Sequence, residues 1–89
     1  MTTLPTINDA SGILSPAMVV FRDRLLSNID AMISIAGDPS RLRPHCKTHK
    51  TREVVALQIE RGITKHKCAT FAEAEMLVQA GAADICLAY

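Results

Sequence analysis

Residues 43–50 read Arg-Pro-His-Cys-Lys-Thr-His-Lys and gather five nitrogen bases or cations and one thiol within eight positions. A lysine amine in such a cluster can attack a carbonyl carbon and form a Schiff base. Nearby cations favour this chemistry because they lower the pKa of an ammonium group. Lys47 is therefore the candidate nucleophile, and its candidate activators are Arg43, His45, His49 and Lys50. From the residues alone, a solvated basic loop at the end of a strand is an equally good interpretation.

The same run offers metal binding as a second chemistry, because five nearby residues are borderline or soft ligands: His45, Cys46, His49, His66 and Cys68. Their spacing is unfavourable. His45 and Cys46 would point to opposite faces of a strand, and the sequence has no Cys-x-x-Cys pair. We therefore assign no metal site to these residues, and we expect the three cysteines to be reduced thiols.

The composition of the chain excludes several classes of protein. With 89 residues, 48% of them hydrophobic, and a net charge of +1, it is typical of a globular protein and not of a disordered one. The small charge and the 3% aromatic content argue against a nucleic-acid partner. No apolar run reaches the roughly 18 residues of a membrane span, and residues 1–15 lack a secretory signal pattern. We expect a cytoplasmic protein that binds no membrane.

Hydrophobic periodicity predicts strands and helices in alternation after a leader at residues 1–15. Thr70 and Glu73 form a capping-box pattern at the start of the third helix, with Glu73 as a capping residue. Such alternation indicates parallel strands joined by helical crossovers, as in an α/β fold. The predicted strands are Ala17–Phe21, Leu42–Lys47, Ile63–Cys68 and Ile85–Ala88, and the predicted helices are 23–36, 54–59 and 70–80.

Alternation along the strand Leu42–Lys47 places Arg43, His45 and Lys47 on one face and Cys46 on the other. We expect the charged row to face a site, because burying unpaired charges against helices is costly. Lys47 would lie at the carboxyl end of its strand, which is the functional end in parallel α/β proteins. For the strand Ile63–Cys68 the sequence leaves open whether His66 and Cys68 or the two lysines face that site.

The run at residues 43–50 resembles a motif of the D-threonine aldolase and D-serine dehydratase-like enzymes, Arg-Pro-His-x-Lys-Thr-His-Lys. These are fold-type III pyridoxal-phosphate proteins related to alanine racemase. The match holds throughout the motif, with Cys46 at the variable position. Further similarity runs from about residue 15 to the end and includes Ser15-Pro16-Ala17, Asn28, Thr70 to Glu75, Gly81 and Asp84.

The resemblance implies an α/β fold that is the first part of a pyridoxal-phosphate-binding TIM (β/α)8 barrel. Residues 1–22 would form a leader and a strand of a separate β-domain, and residues 23–89 would begin a truncated alanine racemase-like barrel. The fragment alone is expected to be inactive and poorly folded. The full-length protein would be a homodimer.

By the same resemblance, the enzyme would be a pyridoxal 5'-phosphate-dependent lyase acting on D-amino acids, of the D-threonine aldolase or D-serine dehydratase type. Lys47 would be the catalytic residue that forms the Schiff base, and His45 would be a cofactor-binding neighbour. Any divalent metal would be bound by residues outside this chain. An amino-acid racemase of the same fold and a non-catalytic pyridoxal-phosphate-binding protein are the alternatives.

Overall fold

The structure is a computed structural model that describes residue 7, residues 11–13 and residues 16–88. Most of the predicted leader, including Ser15, lies outside these residues, as does Tyr89. The elements follow each other in the order α1 (Arg22–Ala36), a 3-10 turn (Pro39–Arg41), α2 (Arg52–Glu60), β1 (Lys65–Cys68), α3 (Phe71–Ala80) and β2 (Asp84–Leu87). No helix within the described ranges is long and apolar enough to cross a bilayer.

The strands of the small sheet are parallel, as the alternating pattern predicts. β1 pairs with β2 in a register that sets Lys65 opposite Asp84 and Cys68 opposite Leu87, and α3 connects the two strands. The last helix is therefore a crossover connection between neighbouring parallel strands.

The predicted strand Leu42–Lys47 is reduced to a single parallel bridge between His45 and Lys67. In this bridge the Cys46 N–H donates to the Lys67 carbonyl at 3.0 Å, and the Lys67 N–H donates to the Pro44 carbonyl at 2.9 Å. The pairing cannot extend far, because Pro44 has no N–H to donate and the chain turns at Lys47. The segment still adds a third parallel row beside β1.

The predicted buried strand Ala17–Phe21 is wrong for the structure described here. These residues belong to no strand, and they are exposed, with Val19 at 47% and Phe21 at 37% of full accessibility. Phe21 has an extended backbone, with φ −89° and ψ 105°. No strand among the described residues lies alongside to accept or donate its backbone hydrogen bonds. The assignment of residues 1–22 to a β-domain stays a prediction.

The hydrophobic core lies between the sheet and the pair α2 and α3. Its buried members are Cys46, Val55, Cys68 and Leu77, and partly buried apolar residues of α2, α3 and β2 pack against them. Cys46 therefore occupies the helix-facing side that strand alternation predicts. Cys68 and the fully buried His66 lie on the same side, which resolves the face of β1 that the sequence left open.

The start and the end of α3 follow from its sequence. The Thr70 hydroxyl accepts a hydrogen bond from the Glu73 N–H at 3.1 Å, as an N-cap does. Gly81 ends the helix with a left-handed backbone at φ 98°, a conformation that glycine adopts without steric cost. Because both ends are fixed, the first turn of α3 holds Glu73 in a defined position next to the end of β1.

Candidate lysine site

The face of the sheet opposite the helices carries the polar side chains. In parallel strands, paired residues point to the same side, so the pairs His45–Lys67 and Lys67–Cys86 form one row across the sheet. Lys65 and Asp84 form the row nearer the amino ends. The residues of this face are half-buried or exposed, whereas the helix-facing residues of β1 are buried. We call it the open face.

Lys47 is the first residue of the turn that follows the His45–Lys67 bridge, and it is exposed. The turn is closed by the Lys50 N–H, which donates to the Cys46 carbonyl at 2.8 Å. Within residues 16–88 the Lys47 ammonium makes no hydrogen bond and no ion pair. An exposed primary amine therefore lies at the carboxyl end of the parallel rows.

The imidazole of His45 forms a hydrogen bond with the backbone of Lys47. Its Nδ1 accepts a hydrogen bond from the Lys47 backbone N–H at 3.1 Å. Because Nδ1 is the acceptor, the proton of the neutral imidazole lies on Nε2, which can donate to a ligand. The side chain of His45 thus contacts the backbone of Lys47, and these are the two residues to which the family resemblance gives a role with the cofactor.

The expectation that Arg43 activates Lys47 is not supported by the geometry. The Arg43 guanidinium forms an ion pair of 2.8 Å with Asp84 and also donates to the carbonyls of His66 and Asp84 at 3.1 and 3.2 Å. Asp84 begins β2, so this cation lies at the amino end of the sheet, away from the turn with Lys47. The hydrogen bond to Asp84 raises the pKa of Arg43.

The other two candidate activators, Lys50 and His49, also have structural partners. Lys50 forms an ion pair of 2.8 Å with Glu73, so its charge is compensated. The Nδ1 of His49 accepts a hydrogen bond from the Thr51 N–H at 2.9 Å, at the start of α2. Burial lowers the pKa of His49 and favours its neutral form. Neither residue supplies the uncompensated positive charge that the sequence interpretation required.

Glu73 is the residue of this region that sequence reasoning missed. Its side chain is 5% exposed, and Oε1 accepts a hydrogen bond from the Ala69 N–H at 2.9 Å while Oε2 contacts Lys50. The thiol of Cys46 lies 3.8 Å from Oε1. The hydrogen bond from Lys50, together with that from the Ala69 N–H, lowers the pKa of Glu73 to about 2.

The local pattern predicted only a capping role for Glu73. Its backbone N–H does take part in the N-cap with Thr70, but its carboxylate binds the Ala69 N–H and the Lys50 ammonium instead of closing the capping box. No local pattern could have revealed this contact, because Lys50 and Glu73 are 23 residues apart in the sequence. The contact depends on how the turn and α3 meet at the end of β1.

The alternative of a metal site finds no support in the geometry. The described part of the chain contains no group of three or more His, Cys, Asp or Glu side chains arranged to hold a metal ion. Cys46 and Cys68 lie in the apolar cluster, and burial raises the pKa of Cys46 to about 11.

A comparison with characterised proteins found similarity to the D-threo-3-hydroxyaspartate dehydratase of Delftia sp. (strain HT23), at 39% identity over 72 residues. The aligned region is 80% of this chain and 19% of the dehydratase, so the chain spans about a fifth of that relative's length. No family model matches the chain. No solved structure matches it either. The similarity supports the broad family indicated by the motif at residues 43–50, and no finer assignment.

Proposed function

We propose that Lys47 binds pyridoxal 5'-phosphate covalently and that the whole protein is a lyase acting on D-amino acids. The observation that carries this proposal is the exposed Lys47 amine, which lies at the carboxyl end of parallel rows within residues that match the family motif. The similarity to a dehydratase supports it, because dehydratases are lyases.

The residues around Lys47 fit such a cofactor. An unpaired, exposed amine can reach an aldehyde, form a bond from its nitrogen to the aldehyde carbon, and release the oxygen as water. The half-buried His45 uses Nδ1 for the Lys47 backbone, and its Nε2–H is the group left to hold the cofactor. When bound, the cofactor supplies an electron sink for bond cleavage at the α-carbon of the substrate.

The substrate class follows from the relative and is part of the proposal. We propose an amino acid of D configuration with a hydroxyl group on the β-carbon, from which elimination removes the α-proton and the β-hydroxyl as water. Dehydration is favoured over aldol cleavage because the relative is named a dehydratase. We further propose that the described elements are the first elements of a (β/α)8 barrel and that the enzyme is a homodimer. Any metal ion would be bound by residues outside this chain.

Borohydride trapping tests the assignment of the lysine. The purified full-length protein is mixed with pyridoxal phosphate, reduced, digested and mapped by peptide mass spectrometry. We expect one adduct on Lys47, its loss in Lys47→Ala, and its retention in Lys67→Ala, a matched change on the open face. An adduct that persists in Lys47→Ala would contradict the proposal.

Product analysis then distinguishes the reactions. D-threo-3-hydroxyaspartate, D-serine and D-threonine are supplied with and without a chelator. A keto acid with ammonia identifies a dehydratase, and glycine with an aldehyde identifies an aldolase. Inversion of an amino acid without cleavage would favour the racemase alternative. An adduct on Lys47 without any turnover would favour a non-catalytic binding protein.

A further inference from the structure

We propose that Glu73 is a positioning residue for Lys47 and that it acts through Lys50. The inference rests on the proposed function of Lys47 and goes beyond it, because it assigns a role to a buried carboxylate that does not touch the reacting amine. Three structural observations carry it: the backbone of the turn, the fixed orientation of the carboxylate, and the ion pair by which Lys50 joins the end of the turn to α3.

The turn that presents Lys47 ends in an unfavourable backbone conformation. Lys50 has φ 51° and is the one non-glycine residue with positive φ in the described part of the chain. Residues with a Cβ adopt this left-handed conformation infrequently and retain it where surrounding contacts enforce it. The hydrogen bond from the Lys50 N–H to the Cys46 carbonyl closes the turn, and the Lys50 side chain then extends to Glu73.

The carboxylate of Glu73 is a fixed anchor for that side chain. Glu73 lies in the first turn of α3 and is 5% exposed, whereas the Lys50 side chain is 63% exposed. The Ala69 N–H, just after β1, orients one carboxylate oxygen and leaves the other to Lys50. The ion pair therefore ties the far end of the Lys47 turn to the junction of β1 and α3.

Most other side-chain contacts of the turn are local. The Nδ1 of His45 binds the N–H of Lys47, and the Nδ1 of His49 binds the N–H of Thr51, each across two residues. Such contacts shape the turn but do not fix it relative to the sheet. The backbone bridge at His45 and the buried Cys46, whose thiol lies 3.8 Å from Glu73 Oε1, hold the near end. The pair of Lys50 and Glu73 holds the far end. Without that pair, the Lys47 amine would sample a wider range of positions.

The test compares single and double variants of the full-length protein: Glu73→Gln, Lys50→Gln, Lys50→Gly and Lys50→Arg. The readouts are the rate of covalent trapping of pyridoxal phosphate at Lys47 and the circular dichroism of the bound cofactor, which reports its orientation. Displacing a reacting group by about 1 Å can cost up to about 100-fold in rate, so we expect trapping to slow about tenfold in Glu73→Gln and Lys50→Gln. The double variant Glu73→Gln with Lys50→Gln should be no slower than either single variant, because each of the two changes removes the same ion pair.

Two variants of Lys50 separate positioning from backbone conformation. Glycine adopts positive φ readily, so Lys50→Gly relieves the backbone strain at this position and also removes the ammonium group. We expect it to trap as slowly as Lys50→Gln, whereas Lys50→Arg, which can keep the ion pair, should restore most of the rate. Glu75→Gln, a change of an exposed glutamate on the same helix, is the matched control and should leave rate and spectrum unchanged.

The outcomes distinguish this inference from the proposed function. If the unaltered protein forms no adduct on Lys47, the proposed function fails and the positioning role fails with it. If the unaltered protein forms the adduct and both Glu73→Gln and Lys50→Gln match it in rate and in circular dichroism, only the positioning role is overturned. If Glu73→Gln does not fold, the test rests on Lys50→Gln, because Lys50 is exposed and its replacement should not prevent folding. Slow trapping in Lys50→Gln would support the inference, and unchanged trapping would overturn it.

Discussion

The imidazole of His66 and the carboxamide of Gln58 form a buried hydrogen bond, with 3.0 Å between His66 Nε2 and Gln58 Oε1. His66 is fully buried and Gln58 is 7% exposed, so this polar pair joins β1 to α2 within the core layer. Burial, with a smaller effect of the charges of His49 and Arg43, lowers the pKa of His66. A neutral imidazole that donates from Nε2 to the carboxamide oxygen is consistent with this environment.

Gln58→Leu is therefore expected to destabilise the protein by about 1–3 kcal/mol, because it leaves the buried His66 donor without its partner. Urea denaturation of the full-length protein measures the change in the free energy of unfolding. The double variant Gln58→Leu with His66→Leu removes both polar groups and should recover part of the loss. A single variant as stable as the unaltered protein would contradict the importance of this hydrogen bond.

The stability of the fold should depend on the charge of Glu73 at acidic pH. Its pKa falls from the usual 4.5 to about 2 in the folded state, so the folded protein binds the proton less readily than the unfolded chain. The stabilisation is then present above about pH 4.5 and is lost as the pH falls through about 2. Thermal melting between pH 6 and pH 2 should show a shallower acid dependence in Glu73→Gln than in the unaltered protein. Equal slopes would argue against the ion pair with Lys50.

Cys46 and Cys68 should resist thiol reagents while the protein is folded. They are 1% and 0% exposed, and burial raises the pKa of both, that of Cys46 to about 11. Maleimide labelling followed by peptide mass spectrometry should find them unmodified at neutral pH and modified in concentrated urea. Cys46→Ala provides the assignment control for its peptide. Rapid labelling of Cys46 under native conditions would show that the sheet does not pack on α2 and α3 as described.

The ion pair between Arg43 and Asp84 should matter little for Lys47. Its two side chains are 32% and 56% exposed, and exposed ion pairs contribute little to stability. Asp84→Asn is expected to lower the melting temperature slightly in dilute buffer, with the difference vanishing in about 1 M salt. The rate of pyridoxal-phosphate trapping should stay the same, since Arg43 lies at the amino end of the sheet. A faster rate, caused by the guanidinium charge that Asp84 no longer compensates, would restore Arg43 as an activator of Lys47.

Local patterns predicted much of this architecture. The apolar periodicity marked α2, α3 and both strands, and strand alternation placed Cys46 with the helices and His45 on the open face. These predictions succeed because the period of side-chain direction is a local property of each element: side chains alternate along a strand and return to the same face of a helix every three to four residues. The barrel stays a prediction.

Contacts between distant residues could not be predicted in this way. The ion pairs of Arg43 with Asp84 and of Lys50 with Glu73 join residues 41 and 23 positions apart. Nothing near these charged residues in the sequence distinguishes them from solvated surface residues. The contacts form only when the strands are in register. The strand expected at Ala17–Phe21 failed for a related reason, because an apolar run needs a neighbouring strand before it can pair.

The contrast between Cys46, which lies in the core, and the exposed Lys47 that follows it limits where the chain can gain or lose a residue. One residue inserted between His45 and Cys46 would move the thiol to the opposite side of the bridge, out of its place in the core. Two inserted residues would return the thiol to the core side but carry the amine up to about 7 Å farther from the bridge, at about 3.3 Å per residue. This segment should therefore tolerate a change of side chain at Cys46 more readily than any change of length.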